Sequence, residues 1–112
     1  MTIKFVVIII LNVFFIVIGQ TLLKVGMDIE KTLSIKIFIN PWIFIGLSIH
    51  AITTVVWLNI LPKVTFSIAY PLNSVSYIFS MLTSIIILGE TITINRVLGT
   101  FIILMGIVLI VQ

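Results

Sequence analysis

Long runs of apolar residues, separated by short polar segments, dominate this chain. Because about 20 apolar residues allow an α-helix to cross the hydrocarbon core of a bilayer, each run predicts one transmembrane helix. The connections after the second and third runs are very short, which predicts antiparallel hairpins. The fold class is therefore an all-α membrane protein with a single four-helix transmembrane domain over residues 1–112. Its predicted spans cover approximately residues 3–23, 42–61, 66–88 and 96–111.

Local signals predict where these helices begin and end. Pro41 suits the first turn of the second helix, and Pro62 ends that helix. Either Thr93 or Asn95 is placed to cap the fourth helix. The polar segment from Lys24 to Asn40 is the one long connection, with room for a short amphipathic helix.

The composition excludes several classes of protein. With 62% hydrophobic and 8% charged residues, the chain has too few charges to cover a soluble core of this size. The net charge of +3 comes from scattered basic residues, so we expect no nucleic-acid partner. The absence of cysteine and the presence of a single histidine argue against a metal site, and nothing indicates a cofactor.

The basic residues leave the orientation in the membrane open. Lys4 and Lys63 fall on one predicted side, whereas the other side carries Lys31, Lys36 and Arg96, with Lys24 at its boundary. The positive-inside rule favours a cytoplasmic location for the second group. The excess is only one or two charges, so both orientations remain possible.

The third predicted span carries polar residues along one face. At about 100° per residue, they lie within an arc of about 140°: Ser67, Tyr70, Asn73, Ser74, Tyr77, Ser80 and Ser84. Close helix packing explains the serines as well as a polar cavity does. The larger Tyr70 and Asn73 favour a cavity, and Pro71 is expected to kink the helix beside it. We therefore predict that Tyr70, Asn73 and Ser74 bind substrate.

Two other predicted spans contribute polar candidates. Gln20 and Lys24 are four residues apart on one helix face, where an amide beside an ammonium suits a phosphate. Lys24 is equally explained as a boundary residue that extends to the lipid headgroups. His50, near the middle of the second span, is either a helix–helix hydrogen-bonding group or a group for catalysis or proton relay, and we count it among the predicted substrate-binding residues.

The fourth span is typical of a helix that makes close contacts. Gly99 and Gly106 are seven residues apart and lie on nearly one face, which favours contact within the chain or between two copies. The sequence shows no set of nucleophile, base and orienting group, no phosphate-binding loop and no paired carboxylates. A transporter or an accessory membrane subunit is therefore a better interpretation than an enzyme.

Several segments resemble the aminoarabinose-phosphoundecaprenol flippase subunits, small four-span members of the drug/metabolite transporter superfamily. The first is Gly19-Gln20 followed by Lys24, and the most specific is Ile-Ala-Tyr-Pro within residues 64–74. Glu90, Arg96, Gly99 and residues 106–110 are similar to the family's C-terminal pattern. The resemblance covers nearly the whole chain. It implies a flippase, or a flippase subunit, for a polyprenyl-phosphate-linked sugar in the cytoplasmic (inner) membrane.

The related small multidrug resistance family supplies the alternative of an exporter of small cations or metabolites. Its members use an essential glutamate in the first span, but the matching residue here is Ile16, and an aromatic position of that family falls at Asn73. Without a carboxylate in the membrane, a cation has no evident charge partner. A third possibility is a non-transporting scaffold for a glycosyltransferase.

The resemblance also predicts the partners. The lipid-linked phosphate and sugar are expected to contact Lys24, Gln20, Tyr70, Asn73 and Ser74, while the tail stays in the bilayer. Because four helices are few for an alternating-access path, we expect a homodimer or a heterodimer with a similar small subunit.

Overall fold

The chain is helical throughout the part that the computed structural model describes, residues 3–112. Met1 and Thr2 of the predicted domain lie outside the described residues. Strands are absent from the described range. Five α-helices follow one another: α1 Ile3–Glu30, α2 Pro41–Ile60, α3 Phe66–Leu72, α4 Ser76–Ile86 and α5 Ile94–Val111. Short 3₁₀ turns occupy Ile35–Phe38, Leu61–Lys63 and Asn73–Val75.

Three helical segments are long and apolar enough to cross a membrane. Within the described residues they are Ile3–Glu30, Pro41–Lys63 and Ile94–Val111, and 18-residue windows inside them have mean hydropathies of 2.7, 1.8 and 2.3. Their length and composition are those of membrane-spanning helices. The chain is accordingly a multi-pass membrane protein.

The third predicted span is divided into two shorter helices. α3 ends at Leu72, and α4 begins at Ser76 after the 3₁₀ turn Asn73–Val75. Pro71 lies in the last turn of α3, where it removes one helical hydrogen bond and its ring crowds the preceding turn. The hydrogen-bonding pattern therefore changes where the proline predicts a kink. A fourth span over residues 66–88 stays a prediction.

The first connection is shorter than the sequence suggests. We expected the polar loop to begin at Lys24, but α1 continues to Glu30. The reason is that Lys24 pairs with Asp28 one turn later, and Gly26 packs against α2. The loop that remains contains only the four-residue 3₁₀ turn, in place of an amphipathic helix.

The predicted helix starts are confirmed by their capping bonds. Pro41 occupies the first turn of α2, and the side chain of Asn40 accepts a hydrogen bond from the Trp42 backbone N–H at 2.9 Å. For α5, Thr93 is the capping residue of the two alternatives, since its side chain accepts from the Arg96 N–H.

Glycines allow α1 and α2 to approach until their backbones touch. A Cβ atom at Gly19 would lie 3.2 Å from the Gly46 carbonyl oxygen, and one at Gly46 would lie 2.9 Å from the Gly19 carbonyl oxygen. A Cβ at Gly26 would collide with the Ile43 side chain. The Asn12 side-chain amide also donates to the Thr53 carbonyl oxygen at 3.3 Å across this interface. These contacts make α1 and α2 the most closely packed pair in the described chain.

The apolar core lies at the opposite end of this pair, where several helices meet. Ile9 and Val13 of α1 are fully buried there. The remaining members of the cluster come from α2, α3 and α5: Ile60, Ala69, Leu72 and Ile107.

α5 is packed much more loosely than the other long helices. Ile107 is its only buried residue, and Met105, Val108 and Leu109 are well exposed. A Cβ atom added at Gly99 or Gly106 would have no neighbour within 4 Å. The two glycines therefore make no close helix contact inside the described chain. Of the two predicted contacts, only the one with a second subunit remains as a proposal.

Candidate functional site

A polar groove of about 260 Å³ lies between α1 and α4. Gln20 and Lys24 of α1 line one side. Hydroxyl groups of α4 line the other side: Ser76, Ser80, Thr83 and Ser84. Ser80 and Ser84 belong to the face that the sequence predicts to be polar. The structure therefore brings the predicted amide and ammonium together with a row of hydroxyls.

Lys24 is engaged by an acidic neighbour on its own helix. Its Nζ lies 3.0 Å from Asp28 Oδ1, and the two side chains remain 51% and 56% exposed. Glu90, in the turn after α4, adds a weaker Coulombic attraction. An exposed pair of this type is held weakly, so an incoming phosphate is able to compete with Asp28 for the ammonium.

A second pocket, of about 120 Å³, lies between α2 and the 3₁₀ turn that follows α3. His50 and Asn73 line it, as do Thr53, Thr54 and Trp57 of α2. His50 Nδ1 and Asn73 Oδ1 are both buried and have no hydrogen-bond partner. Two predicted site residues thus meet in a pocket that leaves each of them with an unsatisfied polar atom.

Ile16 connects the two pockets, because its side chain lines both of them. Ile16, Gln20 and Lys24 are spaced four apart and form one stripe that rises about 12 Å along α1. Gly19, on one side of this stripe, faces α2, and Thr21, on the other side, contacts Thr83 of α4. The stripe therefore lies between α2 and α4, and the two pockets meet at Ile16.

Tyr70 and Ser74 line neither pocket. Tyr70 is 59% exposed and packs against Phe66, with ring centroids 5.2 Å apart. Their role in substrate binding stays a prediction, since the structure does not bring them to the other candidates.

Several residues that position the groove did not stand out in the sequence. Ser76 and Thr83 line it although they lie outside the predicted polar arc. The Thr21 hydroxyl lies 3.2 Å from the Thr83 hydroxyl and 2.8 Å from the Val17 carbonyl oxygen, which joins α1 to α4. The side-chain amide of Asn40 donates to Gly26 O and lies 3.2 Å from Glu30 Oε1. In the sequence, the signal for the Thr21–Thr83 contact is a threonine within an apolar run. The signal for the contacts of Asn40 is an asparagine directly before Pro41.

Apolar grooves adjoin the two polar pockets, one at Val17 and Thr83 and the other at Thr53. A groove of about 230 Å³ is lined by Phe14, Ile18, Phe79 and Leu82, and it shares Val17 and Thr83 with the polar groove. A further groove of about 450 Å³ lies between α1 and α2 and is lined mainly by Phe15, Ile18, Ile49, Ile52 and Val56. The protein thus offers polar and apolar surfaces side by side, as an amphiphile requires.

Charged residues are scarce in the two polar pockets. Lys24 is the only charged residue that lines either pocket, among the residues that the structure describes. Ile16 and Asn73, the two positions that depart from the small multidrug resistance pattern, line the same pocket. A lipophilic cation would find no carboxylate among the described residues there.

Comparison with known proteins supports the resemblance drawn from the motifs. The chain is 29% identical to a probable 4-amino-4-deoxy-L-arabinose-phosphoundecaprenol flippase subunit, ArnF, of Proteus mirabilis, over 87% of this chain and 84% of the relative. It is 32% identical to the probable subunit ArnE of the same type of flippase from an Enterobacter species, over 61% of this chain and 64% of the relative.

No protein-family model matches the chain, and no solved structure matches it. Both relatives are named as subunits of a membrane flippase, and neither is named as an enzyme. The similarity to the aminoarabinose-phosphoundecaprenol flippase subunits, indicated by the Gly-Gln-x-x-x-Lys and Ile-Ala-Tyr-Pro segments, is therefore confirmed.

Proposed function

We propose that this chain is a subunit of a flippase that moves a polyprenyl-phosphate-linked sugar across the cytoplasmic membrane. The names of both relatives support this class of substrate. The observation that carries the proposal is the groove in which Lys24 and Gln20 face the hydroxyl-bearing side of α4. An ammonium, an amide and several hydroxyls together satisfy the oxygens of a phosphate.

The groove also fits the route that an amphiphilic lipid would take. The phosphate binds at Lys24, at the polar end of the stripe, after displacing the exposed Asp28 carboxylate. The polyprenyl tail stays in the apolar grooves or in the bilayer, because burying it next to polar groups would be unfavourable. In this proposal α3 and α4 together form the fourth span. The 3₁₀ turn between them faces the head group, and irregular backbone is tolerated at membrane depth where it lines such a cavity.

The complete translocation path would require two subunits. Gly99 and Gly106 lie on an α5 face with open space around them, so a second helix is able to approach closely at this face. Either a homodimer or a heterodimer with a similar small subunit satisfies this arrangement. Cross-linking of cysteines introduced at Ile102 and Met105, two exposed positions between the glycines, would test the contact. Failure to cross-link in native membranes, with self or with a co-purifying subunit, would contradict it.

Lys24→Ala in reconstituted vesicles tests the phosphate site. We expect loss of most translocation of a fluorescent polyprenyl-phosphate sugar by this chain, purified with any subunit that accompanies it. Lys63→Ala is the matched control, because Lys63 is an exposed lysine beyond the end of α2 and lines neither pocket. Asp28→Asn frees the ammonium without removing it, and we expect it to preserve or increase lipid binding.

The results separate the proposal from its alternatives. Unchanged transport in Lys24→Ala would refute the phosphate site. Proton-dependent resistance to quaternary amines would instead favour a cation exporter. Normal binding of a glycosyltransferase without any lipid movement would favour a scaffold subunit.

A further inference from the structure

The pocket formed by His50 and Asn73 contains two polar atoms that the protein leaves unsatisfied. His50 Nδ1 and Asn73 Oδ1 are buried and unpaired, although most buried polar groups in folded proteins have a partner. Inside a membrane, bulk water is not available to compensate. Such a pair is therefore expected where a ligand or an ordered water completes the hydrogen bonds.

The hydrogen-bonding groups in the pocket specify the kind of ligand. Asn73 Oδ1 only accepts, whereas an imidazole nitrogen donates or accepts according to its tautomer. The hydroxyls of Thr53 and Thr54 already donate to the His50 carbonyl oxygen, at 2.8 and 2.9 Å, so their oxygens remain available as acceptors. A hydroxyl group that donates to Asn73 Oδ1 and accepts from His50 Nδ1 satisfies both buried atoms.

The pocket does not provide what a cationic group requires. Within the described part of the chain, no carboxylate lines it, and the other lining residues are Ile16 and Trp57. An ammonium placed there would lose its hydration without gaining a countercharge, and the attraction of the Trp57 ring face for a cation is smaller than the cost of burying an unpaired ammonium. The indole ring of Trp57 instead provides a flat apolar wall of the kind that packs against the C–H face of a sugar ring.

We infer that the His50–Asn73 pocket is a binding subsite for the hydroxyl groups of an uncharged sugar. This inference rests on the proposed function, because Ile16 joins the pocket to the groove that holds the phosphate. The lipid phosphate at Lys24 and the sugar between α2 and the 3₁₀ turn would then occupy one continuous groove. The inference narrows the substrate beyond the names of the relatives, since it predicts no preference for an amino sugar.

Binding of three lipids to the purified protein in detergent tests the inference. The probes are undecaprenyl phosphate, undecaprenyl phosphate carrying glucose, and undecaprenyl phosphate carrying 4-amino-4-deoxy-L-arabinose. We expect the glucose lipid to bind roughly tenfold more tightly than the bare phosphate, the factor that one or two hydrogen bonds contribute. We expect the amino sugar to bind no more tightly than glucose.

Asn73→Leu removes the acceptor and keeps the branched shape and the number of heavy atoms of the side chain. It should abolish the tenfold advantage of the glucose lipid and leave binding of the bare phosphate unchanged, and His50→Phe should do the same. Ser48→Ala, on α2 outside both pockets, is the matched control. Because Asn73 Oδ1 has no partner in the described chain, we also expect Asn73→Leu to melt at or above the wild-type temperature. A residue with a purely structural role would instead lower it.

The outcomes distinguish this inference from the proposed function. If the wild-type protein binds none of the three lipids, both fail. If the glucose lipid and the bare phosphate bind equally, the pocket holds ordered water only, and the inference fails while the phosphate site stands. Tighter binding of the amino sugar than of glucose, or an equal loss for all lipids in Asn73→Leu, would also overturn the inference.

Discussion

The α1–α2 pair and α5 use glycine in opposite ways. At Gly19 and Gly46 the space for a side chain is already filled by the backbone of the facing helix. At Gly99 and Gly106 the same space is empty. Glycine in a membrane helix is typical of close helix contacts in both cases, so the sequence does not distinguish a contact that folding completes from one that remains open.

This difference divides the molecule into a closely packed pair, α1 and α2, and a helix, α5, whose glycine face is free for contact with another subunit. α1 and α2 are held by backbone contact and by the Asn12–Thr53 hydrogen bond, and they carry Ile16, Gln20, Lys24 and His50 of the groove. α5 contributes one buried residue, Ile107, and lines neither polar pocket. The substrate groove thus depends on the first pair, and α5 is free for contact with another subunit.

The largest expected effect of a substitution lies at the α1–α2 crossing. Gly46→Leu places a side chain 2.9 Å from the Gly19 carbonyl oxygen and 3.0 Å from Leu23 Cγ. Because neither helix is able to give way without losing its partner, we expect a loss of about 3 kcal/mol in the free energy of unfolding, the upper range for overpacking. SDS titration in mixed micelles, followed by circular dichroism, measures it.

Gly99→Leu is the matched control for this substitution. Its side chain meets open space inside the chain, so we expect a change in the free energy of unfolding below about 0.5 kcal/mol. If Gly46→Leu and Gly99→Leu lowered the free energy of unfolding equally, α5 would be packed as closely as the α1–α2 pair, and the division drawn above would be wrong.

A smaller effect is expected at the helix starts. Asn40 is buried, caps α2 through the Trp42 N–H, and bonds to Gly26 O of α1. Thr93 caps α5 at a longer distance of 3.4 Å and is exposed. We expect Asn40→Ala to cost about 1.5 kcal/mol of unfolding free energy and Thr93→Ala about 0.5 kcal/mol.

The same titration measures both capping variants. Equal costs would mean that Asn40 acts only as a cap, and that its bond to α1 contributes nothing to the pairing of the two helices.

The sequence predicts the helices well and their mutual contacts poorly. Apolar run length correctly predicts three membrane helices, and Pro41 and Thr93 correctly mark two helix starts. Both depend on properties of a single segment, namely its hydrophobicity and its first-turn chemistry. The break in the helix after Pro71 also depends on a single segment, because the proline itself removes the hydrogen bond.

The features that the sequence does not predict depend on which helix lies opposite each helix face. The angular position of Gln20, Lys24 and Ser80 follows from helical periodicity. The position of Ile16 in both pockets requires knowing that α2 lies on one side of it and α4 on the other. An isoleucine in an apolar run carries no signal of this. The extension of α1 to Glu30 was missed for the same reason, because Gly26 is stabilised there by contact with α2.

The smallest expected effect concerns hydroxyl contacts between helices. Thr21 is buried and its hydroxyl lies 3.2 Å from that of Thr83, which joins α1 to α4. Thr100 of α5 contacts Met81 Sδ at 3.1 Å, and a thioether is a weak acceptor. We expect Thr21→Val to lower the free energy of unfolding by about 0.6 kcal/mol, the average for interhelical hydrogen bonds in membranes, and Thr100→Val to change it by about 0.2 kcal/mol or less. Replicate titrations of both variants against the wild type resolve this difference, and a larger loss in Thr100→Val would show that α5 is held more firmly than its exposed surface indicates.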